Sequence, residues 1–202
     1  MAFIKVVSPG QASGRLEKIY RCVQAPDGQV DNVLQVHSLR PHTLEGHMAV
    51  YKAVLHHTSN QLPEWYLEAV GVLVSSLNNC TYCAGHHAKG MERLLKAESM
   101  DDRAYIAALD QSDPGEPFTA RELVGLAYAR KLTHTPGQIE AADIDGLREA
   151  GFDDGEILEL NQVAAYFAYA NRTVTGLGVN TNNETLGQSP STGDDNSGWS
   201  HG

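Results

Sequence analysis

Two cysteines and a histidine stand close together in the segment NNCTYCAGHH, residues 78–87. If this segment is helical, Cys80, Cys83 and His87 occupy positions i, i+3 and i+7 and share one helix face. At the beginning of a helix, unpaired backbone N–H groups and the positive end of the dipole stabilise a thiolate. Two thiols at this spacing can also close a disulfide. The segment therefore offers a nucleophile, a resolving thiol and a general base.

A single carboxylate interrupts the preceding segment, residues 66–77, which is otherwise apolar apart from small residues. A helix of this composition is buried over most of its surface, so Glu68 is expected to be a carboxylate on a largely buried helix. A buried carboxylate without a cationic partner becomes a usable proton acceptor near neutral pH. A partly exposed side chain and a buried ion pair are equally compatible with the sequence.

Metal and cofactor sites are less favoured interpretations of the cysteine segment. Structural zinc needs four ligands, and beyond the two thiols and His87 the fourth could be His86, His47 or Glu68. A second closely spaced ligand pair, which is common in such sites, is missing from the sequence. Haem attachment would require a histidine where Ala84 stands, and no flavin or nicotinamide motif is present. We predict no metal and no cofactor, and two buried thiols without chemistry remain an alternative.

The polar residues around these candidates give weaker signals. His86 points about 100° away from His87 on a helix, and contact with solvent is its favoured interpretation. His47 and Glu45 are candidates to face the site, although no spacing requires it. Asn171 is polar within an apolar helix, which indicates a specific hydrogen bond.

In almost every segment with a periodic hydrophobic pattern, the period is that of a helix. We therefore predict that helices position these residues and that the fold is all-α. Thr43 and Asn79 are predicted helix caps, and Thr119 with Glu122 is typical of a capping box. We expect a multihelical bundle of about eight to nine helices within one domain, residues 1–179. The predicted helices span residues 14–25, 30–39, 43–58, 63–77, 80–98, 101–111, 119–135, 140–151 and 153–179.

The last segment, residues 180–202, is polar and rich in Gly, Ser and Asn. It is expected to be a flexible tail, or a strap laid over the surface or over a partner subunit, with Trp199 as its one anchor.

Composition excludes several classes of protein. The chain has 202 residues, a net charge of −10 and no basic cluster, which argues against binding to nucleic acid. It has no apolar run long enough to cross a membrane, and its beginning lacks the features of a signal peptide, so we expect a cytoplasmic protein. Three cysteines, with Cys22 isolated as a small core or surface residue, do not form a disulfide scaffold.

The order and spacing of Glu68, Cys80, Cys83 and His87 resemble the alkylhydroperoxidase-D-like family of the carboxymuconolactone decarboxylase superfamily. The sequence is most similar to the branch called peroxidase-related proteins. The resemblance covers most of the chain and includes LRPHTLEGHMAVYKAVL, YARKLTHTPGQI, LREAGFDDGEIL and NRTVTGLGV.

The resemblance implies roles for the four residues. Cys83 corresponds to the peroxidatic thiol, Cys80 to the resolving thiol, and His87 with Glu68 to the proton relay. It also implies an all-α homo-oligomer, built as a trimer or from dimers, with a small hydroperoxide as substrate and a thiol or lipoyl-type reductant. The better-known peroxidases carry a histidine just before the nucleophilic cysteine, where Tyr82 stands here. Since a phenol carries protons poorly at pH 7, a shorter relay is expected.

The sequence thus favours a thiol-dependent hydroperoxide reductase, or a disulfide-relay partner of one. Two alternatives belong to other classes. One is a non-catalytic oligomeric or metal-binding protein. The other is an enzyme that uses His87 and Glu68 for acid–base chemistry on a small carbon acid, although the decarboxylases of the superfamily lack the cysteine pair.

Overall fold

The computed structural model describes residues 2–25, 28–109 and 114–188. Within these residues the chain forms nine α-helices and no strand, which confirms the predicted all-α fold. The helices are α1 (Gly14–Val23), α2 (Asn32–Gln35), α3 (Pro41–Leu55), α4 (Glu64–Leu77), α5 (Thr81–Ala97), α6 (Asp102–Leu109), α7 (Ala120–His134), α8 (Ala141–Glu149) and α9 (Asp154–Gly176). Short 3₁₀ turns span Pro9–Gln11 and Pro136–Gln138.

Helix α4 lies at the centre of the bundle, because its sequence is apolar on every face. All its residues from Trp65 to Ser75 are buried, against α5, α7 and α9. A helix with no polar face must be surrounded, so the other helices form a shell around it. Each side chain from Trp65 to Ser75 is therefore held in the interior, which includes Glu68.

The turn between α4 and α5 sets the position of the cysteines. Asn79 adopts the left-handed conformation at φ 55°, which an asparagine tolerates, and it reverses the chain. Helix α5 begins at Thr81, so Cys80 itself is the N-cap. Two predictions were wrong here: Asn79 does not cap the helix, and Cys80 precedes the first turn rather than lying within it.

Other helix boundaries follow proline and capping chemistry. Helix α3 begins at Pro41 with Arg40 as N-cap, so the predicted cap at Thr43 was wrong; proline fits the first turn because it needs no N–H partner there. The predicted capping box of Thr119 and Glu122 is confirmed. The helix predicted over residues 30–39 is shorter in the structure, where α2 is followed by turns.

The segment after α9 is described as far as residue 188. It lies against α2 and α5, where Asn32 Nδ2 donates to the carbonyl of Asn180 over 2.9 Å. The remainder of the predicted tail, including Trp199, lies outside the described residues.

Gly71 of α4 is required by the packing of α9. A Cβ at this position would lie 2.3 Å from the ring of Phe167. That ring packs edge-to-face with the ring of His87, and the two ring centroids are 4.5 Å apart. We expect Gly71→Ala to lower the free energy of unfolding by about 1–3 kcal/mol, because the buried Phe167 ring must move. Denaturant unfolding measures the change.

Gly46→Ala is the matched control for this prediction. A Cβ on Gly46, which is exposed on α3, meets nothing within 4 Å. It should be neutral or stabilise the helix by up to about 1 kcal/mol, since alanine is the better helix former. Similar losses of stability in both variants would contradict the packing argument.

Candidate active site

A small cavity of about 50 Å³ lies between α3, α4, α5 and α9. Helix α5 contributes Cys83 and His87 to its wall, α4 contributes Glu68, and α3 and α9 contribute Tyr51 and Tyr166. Three of the four residues singled out in the sequence therefore line one cavity. The space holds only a few water-sized groups, so a molecule that enters it comes into contact with these side chains.

The fourth residue, Cys80, lies behind Cys83 as seen from the cavity. The two sulfurs are 2.8 Å apart, and both residues are buried as free thiols. Cys80 packs against α9, where Asn171 and Thr175 make side-chain hydrogen bonds to it. Oxidation could close a disulfide between the two sulfurs with only a small side-chain movement.

The two thiols share their protons unequally. The hydrogen bond from Cys83 lowers the pKa of Cys80 to about 6 against the effect of burial, and bonds from Thr175 and Asn171 add to this. The same hydrogen bond and burial raise the pKa of Cys83. The pair therefore loses one proton readily and retains the other, and the first negative charge is held on the deeper sulfur.

This distribution separates the more acidic thiol from the accessible one. Cys83 faces the cavity, whereas Cys80 does not line it. Because the sulfurs are in hydrogen-bond contact, transfer of one proton from Cys83 to Cys80 places the thiolate at the cavity wall.

The lowered pKa predicts a pH dependence. Below a pH of about 6 both thiols are protonated, and above it the pair carries one thiolate. The rate of alkylation of the reduced pair should fall about tenfold for each unit below that pH and level off above it. Rates measured between pH 4 and 9 (about the accessible range) check this, with free cysteine as the reference thiol, whose pKa is about 8.5. A rate that continues to rise up to that higher value would contradict the shared-proton arrangement.

Glu68 and His87 form a hydrogen-bonded pair at the cavity wall, with His87 one turn along α5 from Cys83. Glu68 is 1% exposed, and its Oε2 accepts a hydrogen bond from His87 Nδ1 over 2.5 Å. Gly90 leaves room for the carboxylate, because a Cβ there would lie 3.2 Å from Glu68 Oε1. With Nδ1 bound to the carboxylate, Nε2 is the histidine nitrogen left to exchange a proton with a ligand. Of the interpretations open from the sequence, burial with a partner is the one observed.

Asn171 makes the specific hydrogen bonds that its apolar surroundings indicated. It is buried, accepts from Asn78 Nδ2 over 3.0 Å and donates to Ser75 Oγ over 3.0 Å. These bonds connect α9 to the end of α4 and hold the turn that carries Cys80.

A second polar group lies at the end of the cavity nearest α2. The Tyr82 hydroxyl donates to Glu184 and accepts from the Val33 N–H over 3.2 Å. The ring of His86 packs on Tyr82 with centroids 4.5 Å apart, and its Nε2 lies 3.2 Å from Glu184 Oε1. The expectation that His86 faces solvent was wrong, because the segment after α9 covers it. No sequence signal connects Glu184 to this site, since its partners lie on distant parts of the chain.

Ligand atoms of Asp31, His86 and Glu184 lie within 4.8 Å of one another, and this is the one such group of three or more among the described residues. It contains neither cysteine. His86 Nδ1 accepts a hydrogen bond from the Gly187 N–H over 3.4 Å, so the neutral ring carries its hydrogen on Nε2. A ring with its hydrogen on Nε2 is unsuited to holding a metal ion through that atom.

Two side chains near the site had ambiguous signals in the sequence. His47 lines the cavity, and burial lowers its pKa to about 3, so it is neutral. Glu45 lies at the surface in an ion pair with Arg15, so its expected position facing the site was wrong. Tyr51 was not singled out, and the aromatic stripe YFAYAN (166–171), which begins at Tyr166, was interpreted as helix packing. Their spacing is that of ordinary helix packing, and only the fold brings them to the cavity.

None of the described helices has both the length and the hydrophobicity needed to cross a membrane. No protein-family model matches the chain, and no curated protein is significantly similar to it. Solved structures do match.

One similar structure is an uncharacterized peroxidase-related protein from Silicibacter sp. TM1040, 30% identical over 80% of this chain and 82% of that chain, with a TM-score of 0.70. Another, from Ralstonia eutropha JMP134, is a peroxidase-related protein with an alkylhydroperoxidase AhpD core. It is 22% identical over 90% of this chain and 93% of that one, with a TM-score of 0.75. A variant of the debrominase Bmp8 in complex with 2,3,4-tribromopyrrole shares the fold at 18% identity, over 88% and 92% of the two chains and with a TM-score of 0.66.

Proposed function

Because the chain belongs to the alkylhydroperoxidase-D-like family, among its peroxidase-related proteins, we propose that it is a thiol-dependent hydroperoxide reductase, or the disulfide-relay partner of one. One observation carries the proposal. The Cys83 thiol faces a small cavity that Glu68 and His87 also line, with the Cys80 sulfur 2.8 Å behind it. This arrangement supports roles for Cys83 as nucleophile, Cys80 as resolving thiol and His87 as proton carrier.

The first step oxidises Cys83. His87 takes up the proton that the cysteine pair loses, and the remaining proton passes from Cys83 to Cys80. The Cys83 thiolate then attacks the terminal oxygen of a hydroperoxide. The S–O bond forms, the O–O bond breaks, and the sulfur loses two electrons to become a sulfenic acid. The leaving alkoxide takes the proton from His87 Nε2 and departs as the alcohol. Glu68, bound to Nδ1, orients the ring and stabilises its positive charge before the transfer.

The second step closes the disulfide. His87 accepts the proton of Cys80, whose thiolate attacks the Cys83 sulfur. The S–S bond forms, and the S–O bond breaks as hydroxide takes the proton from His87 and leaves as water. Two thiols and one hydroperoxide thus become a disulfide, an alcohol and water. The short distance between the sulfurs supports fast resolution, which protects Cys83 against over-oxidation.

Tyr82 has no part in this relay. Its hydroxyl already donates to Glu184, and burial raises its pKa well above the usual value, with the charge of Glu184 adding to the effect. A neutral phenol bound in this way does not carry protons at pH 7. The proposed relay therefore runs through His87 and Glu68 alone.

The proposal includes the molecules that the enzyme meets. The size of the cavity favours a small hydroperoxide, and the disulfide requires an external thiol or lipoyl-type reductant. We also propose assembly as a homo-oligomer, which exposed apolar side chains such as Leu158 and Tyr169 support.

Counting thiols in the reduced protein before and after one equivalent of peroxide tests the function. The expected result is loss of two thiols per chain with stoichiometric loss of peroxide. Thiols that stay reduced under excess peroxide would overturn the proposal and favour acid–base chemistry by Glu68 and His87 on a small carbon acid. The debrominase shows that this fold serves more than one reaction, which makes the direct test necessary.

A further inference from the structure

Residues 180–188, here called the strap, cover the end of the cavity nearest α2 and α5. Gly187 and Gln188 line the cavity itself. The Gly187 carbonyl accepts from Arg93 Nη1 over 2.8 Å, and Thr185 N–H donates to Gln29 Oε1 over 3.3 Å. The strap therefore forms part of the wall that limits the space in front of Cys83.

Glu184 is the main attachment of the strap. Its carboxylate is 3% exposed, although it belongs to a segment without regular secondary structure. It accepts from Asn32 N–H over 3.2 Å and from Asn32 Nδ2 over 2.6 Å, as well as from the Tyr82 hydroxyl. His86 Nε2 lies 3.2 Å from Glu184 Oε1. Charge-assisted hydrogen bonds of this kind are about twice as strong as neutral ones.

The strap also fits closely where it passes over α5. Gly187 has φ +81°, and a Cβ there would lie 2.6 Å from Lys89 Cβ. Only glycine permits this backbone conformation together with so close an approach. The close fit removes the space through which a larger molecule could reach the cavity beside the strap.

Two features make this closure reversible. Leu186 is the sole large apolar residue of the strap and is 37% exposed, so little hydrophobic burial holds the segment in place. In addition, the Asp31 carboxylate lies within 4.8 Å of Glu184. Repulsion between the two carboxylates opposes the three hydrogen bonds that Glu184 accepts from Asn32 and Tyr82.

We propose that the strap, held by Glu184, determines which molecules reach Cys83. With Glu184 bound, only compact molecules enter. Release of Glu184 from Asn32, Tyr82 and His86 admits bulky hydroperoxides and the larger reductant. Glu184 is thus a specificity-determining residue. The part of the inference that concerns substrates rests on the proposed function, whereas access to the thiol does not.

Labelling of cysteines tests access without peroxide. Reduced protein is treated with a compact reagent, iodoacetamide, or with a bulky aromatic maleimide, and labelling of each cysteine is followed by mass spectrometry. Glu184→Gln should increase labelling of Cys83 by the maleimide about tenfold, because the charge-assisted bonds are lost, and leave labelling by iodoacetamide nearly unchanged. Gly187→Ala, which lifts the strap from Lys89, should act in the same direction.

Cys22 is the internal control, since it is exposed and should react equally in all variants. Glu149→Gln, at an exposed site on α8, is the matched variant and should behave as wild type. Equal maleimide rates in wild type and Glu184→Gln would overturn the inference. A parallel rise with both reagents would overturn it too, as it would indicate general loosening of the fold.

Turnover then separates the two proposals. Glu184→Gln should raise kcat/KM for cumene hydroperoxide and leave that for hydrogen peroxide unchanged. If labelling changes as expected but neither peroxide is consumed by any variant, the inference about the strap stands and the proposed function fails. If both peroxides are consumed and Glu184→Gln leaves their ratio unchanged, the function stands and Glu184 does not set specificity.

Discussion

Cys83→Ser is expected to abolish peroxide consumption, with a loss in rate of about a thousandfold or more. The hydroxyl of serine stays protonated in this cavity and is a far weaker nucleophile than a thiolate. No other thiol can replace it, because Cys80 lies behind it and does not line the cavity. The measurement is the rate of peroxide loss with reduced protein in excess over peroxide, which makes the result independent of any external reductant.

Two further variants act as controls for this result. Cys22→Ser changes an exposed thiol and should leave the rate unchanged. Cys80→Ser should permit one turnover and leave a sulfenic acid on Cys83, which dimedone traps. Full activity in Cys83→Ser would show that the nucleophile is wrongly assigned, and trapping of dimedone on Cys80 in that variant would assign the role to Cys80 instead.

The two cysteines illustrate what spacing in a sequence can and cannot predict. Their helical spacing correctly places them together, since i and i+3 are neighbours on any helix. It does not predict which thiol is more acidic. That depends first on the hydrogen bond between the two thiols, which lowers the pKa of Cys80 and raises that of Cys83. Thr175 of α9, far away in sequence, adds a hydrogen bond to Cys80. It also misplaces the helix start, which the left-handed turn at Asn79 delays until Thr81.

The same division applies to two buried carboxylates, Glu68 at the cavity wall and Glu184 of the strap. Glu68 could be predicted, because α4 and α5 follow each other along the chain and a short turn makes them antiparallel neighbours. One acidic residue within the apolar segment 66–77 is itself an unusual signal. Glu184 had no such signal. It lies in a polar segment whose composition is typical of a tail, and its partners Asn32, Tyr82 and His86 come from other parts of the chain.

Glu68→Gln is expected to lower kcat/KM for peroxide about 10²- to 10⁴-fold. The amide retains the size of the carboxylate and can still accept a hydrogen bond from His87 Nδ1, so the cavity keeps its shape. What is lost is the negative charge that stabilises the histidine when it holds the proton lost by the cysteine pair. The first step therefore slows both in forming the thiolate and in delivering a proton to the leaving alkoxide. Single-turnover peroxide consumption measures the combined effect.

Helix α4 supplies a matched control for the loss of this charge. Glu64 is on the same helix and also pairs with a histidine, its Oε1 lying 2.7 Å from His56 Nδ1, but neither residue lines the active-site cavity. Glu64→Gln thus removes a comparable Glu–His pair without touching the relay, and its peroxide rate should stay within about twofold of wild type. Equal losses in both variants would trace the effect to the packing of α4. A wild-type rate in Glu68→Gln would show that His87 exchanges its proton without the carboxylate.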